Sequence, residues 1–229
     1  MPVLAYIIVA VVAYLLGSIP TGFLVAKAKG IDIRAAGSGN IGATNAMRVL
    51  GKPAGIFVLF MDALKGWMAC FCGMLVCVYC FSPNHNVEIN YSHANYEAAF
   101  NQFAEPHLIL AGIFAVLGHN YTCWLKFKGG KGVATTAGVY LALAPVALGI
   151  ALAVFILAIL ITRYVSVGSI VAAVALPIAV WFTNENLFLR IVTIALGAMA
   201  ILKHRKNMQR LMAGTESRLG KKTSTEAVK

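Results

Sequence analysis

Two glycine-rich stretches carry the residues whose types and spacing suit chemistry. In the first, GSGNIGATN from Gly37 to Asn45, glycines fall in G-x-G-x-x-G order among Ser38, Gly39, Asn40, Thr44 and Asn45, and Arg48 follows three residues later. In the second, Gly129, Gly130 and Gly132 bracket Lys131 just ahead of an apolar run. Glycines expose consecutive backbone N–H groups, and a following helix start adds its positive end, so either stretch can cradle an anion such as phosphate. Glycine clusters also serve merely to turn tight corners. Two of them, each ending in a helix start and each beside a cation, favour a pair of phosphate-like groups.

Neither stretch reads as a nucleotide loop. The Rossmann fingerprint requires a strand before it, a helix after it and an acidic residue about 20 positions on. Asp62 stands at that distance, but it lies inside an apolar run, and upstream there is only another apolar run and KAKGIDIR. The second stretch lacks the first glycine of a Walker A loop, and Gly132 occupies its Ser or Thr position. The H-x-x-x-x-D pattern of thioester-dependent glycerolipid acyltransferases is also absent, since the five histidines are followed at that spacing by Asn90, Ala98, Gly112, Trp124 and Gln209.

Other polar residues adjoin apolar runs: Ser166 and Ser169 in RYVSVGS, and His204 with Asn207 after the last run. Each alone suits a structural or headgroup-anchoring role, and their convergence on one face is what argues for a site. Asp62 and Lys65 are three apart and share a helix face. An ionisable pair inside a membrane helix is a functional hypothesis by default; a neutralised pair that positions the glycine loops is an equal reading, so neither enters the catalytic set. The five cysteines read as small buried hydrophobes.

The elements that must position these residues follow from composition. With 60% hydrophobic and 12% charged residues and a mean hydropathy of +0.80, the 229-residue chain is an all-α polytopic membrane protein. Apolar runs at Val3–Ala26, Pro53–Phe81, His107–Leu125, Val133–Thr162 divided at Pro145, Ser169–Thr183 and Leu187–Leu202 predict seven spans. Lys27, Lys29, Arg34, Arg48, Lys52, Lys126, Lys128, Lys131, Arg163 and the basic tail then fall on one side, whereas the loop Ser82–Pro106 has glutamates and no Lys or Arg. The positive-inside rule puts the N-terminus outside, and both glycine stretches and the C-terminus in the cytosol. Residues 1–202 form the membrane domain, and 203–229 a basic tail, amphipathic and then disordered. The formal charge of +11 is read as membrane topology and not as nucleic-acid binding.

The motifs GSIPTGF, GSGNIGATNAMR, DALKG, GH followed by FKGGKGVAT, RYVSVGS and HRKNMQRLMAGTE resemble, over nearly the whole chain, the bacterial acyl-phosphate:glycerol-3-phosphate acyltransferases. The resemblance implies seven helices in the inner membrane with a cytosolic active site. It also implies transfer of an acyl group from acyl phosphate to glycerol 3-phosphate, giving lysophosphatidic acid and phosphate. No metal or cofactor is implied, and the enzyme that makes the acyl phosphate is an expected partner. Its substrate contacts carry over to Ser38, Gly39, Asn40, Thr44, Asn45, Arg48, Gly129, Gly130, Lys131, Ser169, His204 and Asn207, with Lys131, His204, Ser38 and Asn40 as the catalytic set. Departures are Ile41 in place of a frequent proline, the lack of a proline after GH, and the long outer loop.

The carboxylates on the cytosolic side, Asp32, Glu216 and Glu226, are not convincing bases. That leaves His204, His119 or the substrate's own phosphate to take the hydroxyl proton, and the leaving phosphate is the expectation. The rival function is a membrane transporter for phosphate esters. It would place its site at the midplane between related halves, whereas these loops lie at one rim and no repeat is visible.

Overall fold

In the computed structural model, which describes residues 2–81 and 104–219, all regular elements are helical. Two pieces, α1 (Pro2–Ser18) and α2 (Thr21–Lys27), share the first apolar run. The first glycine stretch leads into α3 (Ala43–Leu50), and the longest helix, α4 (Lys52–Phe81), follows at once. After α5 (Glu105–Asn120), a 3-10 turn at Cys123–Leu125 and the second glycine stretch lead into α6 (Val133–Leu143). The chain closes with α7 (Pro145–Thr162), α8 (Val165–Thr183), α9 (Leu187–Lys203) and α10 (Arg205–Met212). Of the outer loop expected at 82–106, residues 82–103 lie outside the described residues, as does the expected disordered end of the tail beyond Leu219.

Proline sets two of the breaks. Pro20 lacks an N–H and falls where α1 ends and α2 begins; Pro145 occupies the first position of α7, where a missing N–H leaves no bond unmade. Five helical runs are long and apolar enough to cross a membrane: Val3–Lys27, Lys52–Tyr79, Glu105–Leu125, Pro145–Thr162 and Val165–Thr183. A sixth is reached if α9 is counted with α10 across a bend of 49°. With 11 residues, α6 rises about 16 Å, roughly half of a hydrocarbon core of about 30 Å. The expected seventh span is therefore a short apolar helix, and its crossing does not follow from its length.

Helix pairs approach closely where glycines face one another. A Cβ at Gly17 of α1 would lie 2.1 Å from Ala115 O of α5, and one at Gly118 of α5 would lie 2.3 Å from Tyr14 O of α1. The α4–α6 contact repeats the device, with 2.2 Å from Gly66 to Thr135 O and 1.8 Å from Gly138 to Ala63 O. These backbone contacts anchor the short α6 against α4, so the second glycine stretch arrives at a fixed height beside the first. Large apolar side chains such as Ile156, Leu157, Leu160 and Ile161 of α7 are exposed, as helices bathed in lipid require.

Candidate active site

The first glycine stretch is folded around Asn45. Its Oδ1 accepts from Ser38 N–H at 2.8 Å, and its Nδ2 donates to Ala36 O at 3.0 Å and Asn40 O at 2.9 Å. Asn40 in turn accepts from Gly42 N–H at 2.7 Å. Asn45 is 1% exposed and both ends of its amide are engaged by the loop. Asn45 thus shapes the loop with its side chain, while Ser38, the amino end of Asn40 and Thr44 are left to face the cavity. Gly37 and Gly39 have positive φ (58° and 72°), which turns the chain back so that Gly42 can open α3.

A cavity of about 130 Å³ lies at this point. It is lined by Ser38, Asn40, Thr44, Asn45 and Arg48 from the first loop and α3, by Lys131 from the second loop, by Ser166 and Ser169 from α8, and by His204 and Asn207 beyond α9. Segments far apart in the sequence thus meet, as Arg48 also shows by reaching Ser217 O, 169 residues on, at 3.5 Å. The first residues of three helices line the wall: Ala43 and Thr44 of α3, Val133 and Ala134 of α6, Val165 and Ser166 of α8. The unpaired N–H groups and positive ends of three helices together with Arg48 and Lys131 make an anion site. Gly39, Gly129 and Gly130 do not line the cavity.

Lys131 donates to Asn207 Oδ1 in a short contact. Asn207 Nδ2 donates to Glu216 Oε1 at 2.7 Å, and Arg210 pairs with Glu216 Oε2 at 2.7 Å. Burial pushes the Lys131 ammonium down to about 8, with the charge of Glu216 acting in the opposite direction and Arg210 and Arg48 adding to the fall. Burial also disfavours the Glu216 carboxylate, but hydrogen bonds from Arg210 and Asn207 outweigh it and hold the group below its ordinary value. His204 Nδ1 lies 2.8 Å from Ala200 O. Since a carbonyl only accepts, Nδ1 carries the proton and Nε2 is the free lone pair of the neutral ring. Ser169 Oγ donates to Val165 O at 2.9 Å, which leaves its oxygen an acceptor.

Three ionisable residues outside the expected set also line the cavity: Asp62, His119 and Glu216. In the sequence Glu216 closes the tail motif HRKNMQRLMAGTE and is set aside there as a base. Its burial depends on residues 213–219 folding back, where Leu219 N–H bonds Arg163 O at 2.7 Å and Arg218 bonds Tyr164 Oη at 2.9 Å. No periodicity announces such a return; the signals in the sequence are the tail motif that ends on Glu216 and Arg210 six residues before it.

An apolar groove of about 190 Å³ adjoins the cavity and shares Leu59, Val133, Ala134, Phe155 and Ser169 with it. Its remaining walls are small and aliphatic side chains of α6, α7, α8 and α9, among them Ala151, Leu152, Ala172, Leu176 and Gly197. A polar, cationic pocket opening into a lipid-like channel fits a molecule with an anionic head and a hydrocarbon chain.

A family model described as glycerol-3-phosphate acyltransferase matches residues 7–214. The glycerol-3-phosphate acyltransferase of Trichlorobacter lovleyi is 45% identical over 206 residues, covering 90% of this chain and 93% of its own. That of Geobacter sulfurreducens is 44% identical over 212 residues, covering 93% and 96%. Among solved structures, the glycerol 3-phosphate form of PlsY (YgiH), an integral membrane glycerol 3-phosphate acyltransferase, superposes with a TM-score of 0.78 at 35% identity, covering 94% of this chain and 96% of that one. Its lysophosphatidic acid form gives 0.75 at 35% identity, covering 94% and 95%.

Proposed function

The chain belongs to the glycerol-3-phosphate acyltransferase family, and from that premise we propose that it transfers an acyl group from acyl phosphate to glycerol 3-phosphate, releasing lysophosphatidic acid and phosphate. The observation that carries this reading is the junction of the anion cavity with the apolar groove. An acyl phosphate fits across that junction, its chain in the groove and its phosphate on the helix ends, and glycerol 3-phosphate fits beside Arg48 and Lys131. An acyl phosphate is already an activated mixed anhydride, so alignment and charge stabilisation supply the catalysis.

In the step itself, the glycerol hydroxyl oxygen attacks the acyl carbon and the bond from that carbon to the phosphate oxygen breaks. The hydroxyl proton passes to the leaving phosphate, whose oxygens lie beside the carbonyl. Ser38, the amino end of Asn40, and Lys131 stabilise the developing charge. His204 Nε2, unprotonated in the tautomer fixed by Ala200, accepts from a glycerol hydroxyl and orients it.

The distribution of basic residues supports seven crossings of a bacterial inner membrane, with α6 as a half-length segment, the N-terminus outside and this site facing the cytosol. The enzyme that makes the acyl phosphate is then a partner on the same face. The test is to incubate purified protein with acyl phosphate and labelled glycerol 3-phosphate, without metal or thioester donor. Labelled lysophosphatidic acid is the expected product; its formation only with a thioester donor overturns the reading.

A further inference from the structure

Among the described residues, Asp62 and Lys65 are the Asp–Lys pair inside a membrane-spanning helix, and acyl transfer as outlined gives them no task. Both are buried, 2% and 6% exposed, and two charges taken out of water are tolerated only when they pair closely and find further hydrogen-bond partners. Lys65 Nζ lies 2.8 Å from Asp62 Oδ1 and donates to Ile19 O at 2.9 Å, in the break between α1 and α2. On its other side Asp62 Oδ1 faces His119 Nδ1 at 3.7 Å.

The imidazole leads directly to the second glycine stretch. A Cβ at Gly130 would lie 2.1 Å from His119 Nε2, and one at Gly129 would lie 2.0 Å from His119 O. Gly130 N–H bonds His119 O at 2.9 Å, and Gly129 N–H bonds Asn120 O at 3.2 Å. The stretch therefore satisfies the open carbonyls at the end of α5 while its backbone rests on the His119 ring. The next residue is Lys131. Both glycines are explained by this seat, and neither lines the cavity.

We propose that His119, packed between Asp62 and the second glycine stretch, sets the position of the 129–132 loop and so aims Lys131 at the substrate phosphate; His119 is a positioning residue. The inference rests on the reading that Lys131 contacts glycerol 3-phosphate. His119 stands against the cavity, but one ring nitrogen is turned to Asp62 and the other abuts Gly130, so its contact is with the loop.

The test is a double-mutant cycle with steady-state kinetics in both substrates on wild type, His119→Ala, Lys131→Ala and the double variant. Removing the ring should raise KM for glycerol 3-phosphate between about 10- and 100-fold, the scale of an ångström's misplacement, and leave KM for acyl phosphate within about two-fold. In the Lys131→Ala background the same substitution should add less than about three-fold, because the side chain it aims is gone. An undiminished effect there, or an equal rise in KM for acyl phosphate, overturns the inference alone. A wild-type KM in Lys131→Ala overturns the phosphate reading and this inference with it. If His119→Ala does not purify folded, Gly130→Ala presses on the same contact from the loop side and should give the same split; wild-type kinetics in that variant overturns the proposal.

Discussion

Charge and burial oppose each other at Lys131, and its behaviour tests the site at the scale of single residues. If Lys131 binds the substrate phosphate as proposed, replacement by Ala removes charge-assisted bonds of about 1.5–3 kcal/mol and should lower kcat/KM for glycerol 3-phosphate by about 10- to 100-fold. With the ammonium pushed down to about 8, the protonated form that binds phosphate declines as pH rises through that value. KM for glycerol 3-phosphate should therefore climb as pH rises above about 8, and Lys131→Arg, protonated throughout, should remove the climb. His204 gives a second test. If it orients the glycerol, His204→Gln should chiefly raise KM for glycerol 3-phosphate. A fall in kcat of roughly 10²- to 10⁴-fold would instead make it the general base.

At the scale of elements, the groove makes a prediction of its own. Ala172 of α8 lines it, so Ala172→Leu should narrow the channel and shift the preferred acyl phosphate to shorter chains, leaving KM for glycerol 3-phosphate unchanged; a series of donors of graded length reads this out. Most of these elements were legible in the sequence. Apolar runs located the long helices because lipid demands some twenty apolar residues per crossing, and Pro145 marked the division between α6 and α7. The glycine stretches, Arg48, Ser169, His204 and Asn207 were legible as a set because all adjoin ends of those runs. What stayed hidden depended on tertiary return. Glu216 belongs to the site only because 213–219 folds back on α8, and Asn45 turned inward because loop carbonyls compete for its amide. The His119–Gly130 contact joins residues 11 apart through a turn that no hydrophobic period records.

At the scale of the whole molecule, the basic residues predict a disposition in the bilayer that labelling checks. Cysteine placed at Lys126, in a background cleared of native cysteines, should react with an impermeant thiol reagent only after permeabilisation; one at Glu185, between α8 and α9, should react in intact cells. The reverse pattern would invert the orientation drawn from basic residues. The groove also has a consequence for how rate depends on surroundings. Leu59 and Leu152, which line it, are exposed among lipid-facing side chains, so the channel opens sideways into the hydrocarbon. One substrate then arrives by diffusion in two dimensions and the other in three. For the donor, the quantity that governs rate is its mole fraction in the leaflet, so adding inert lipid or detergent at fixed total donor should slow turnover as if donor had been withdrawn, whereas glycerol 3-phosphate should continue to obey its bulk concentration.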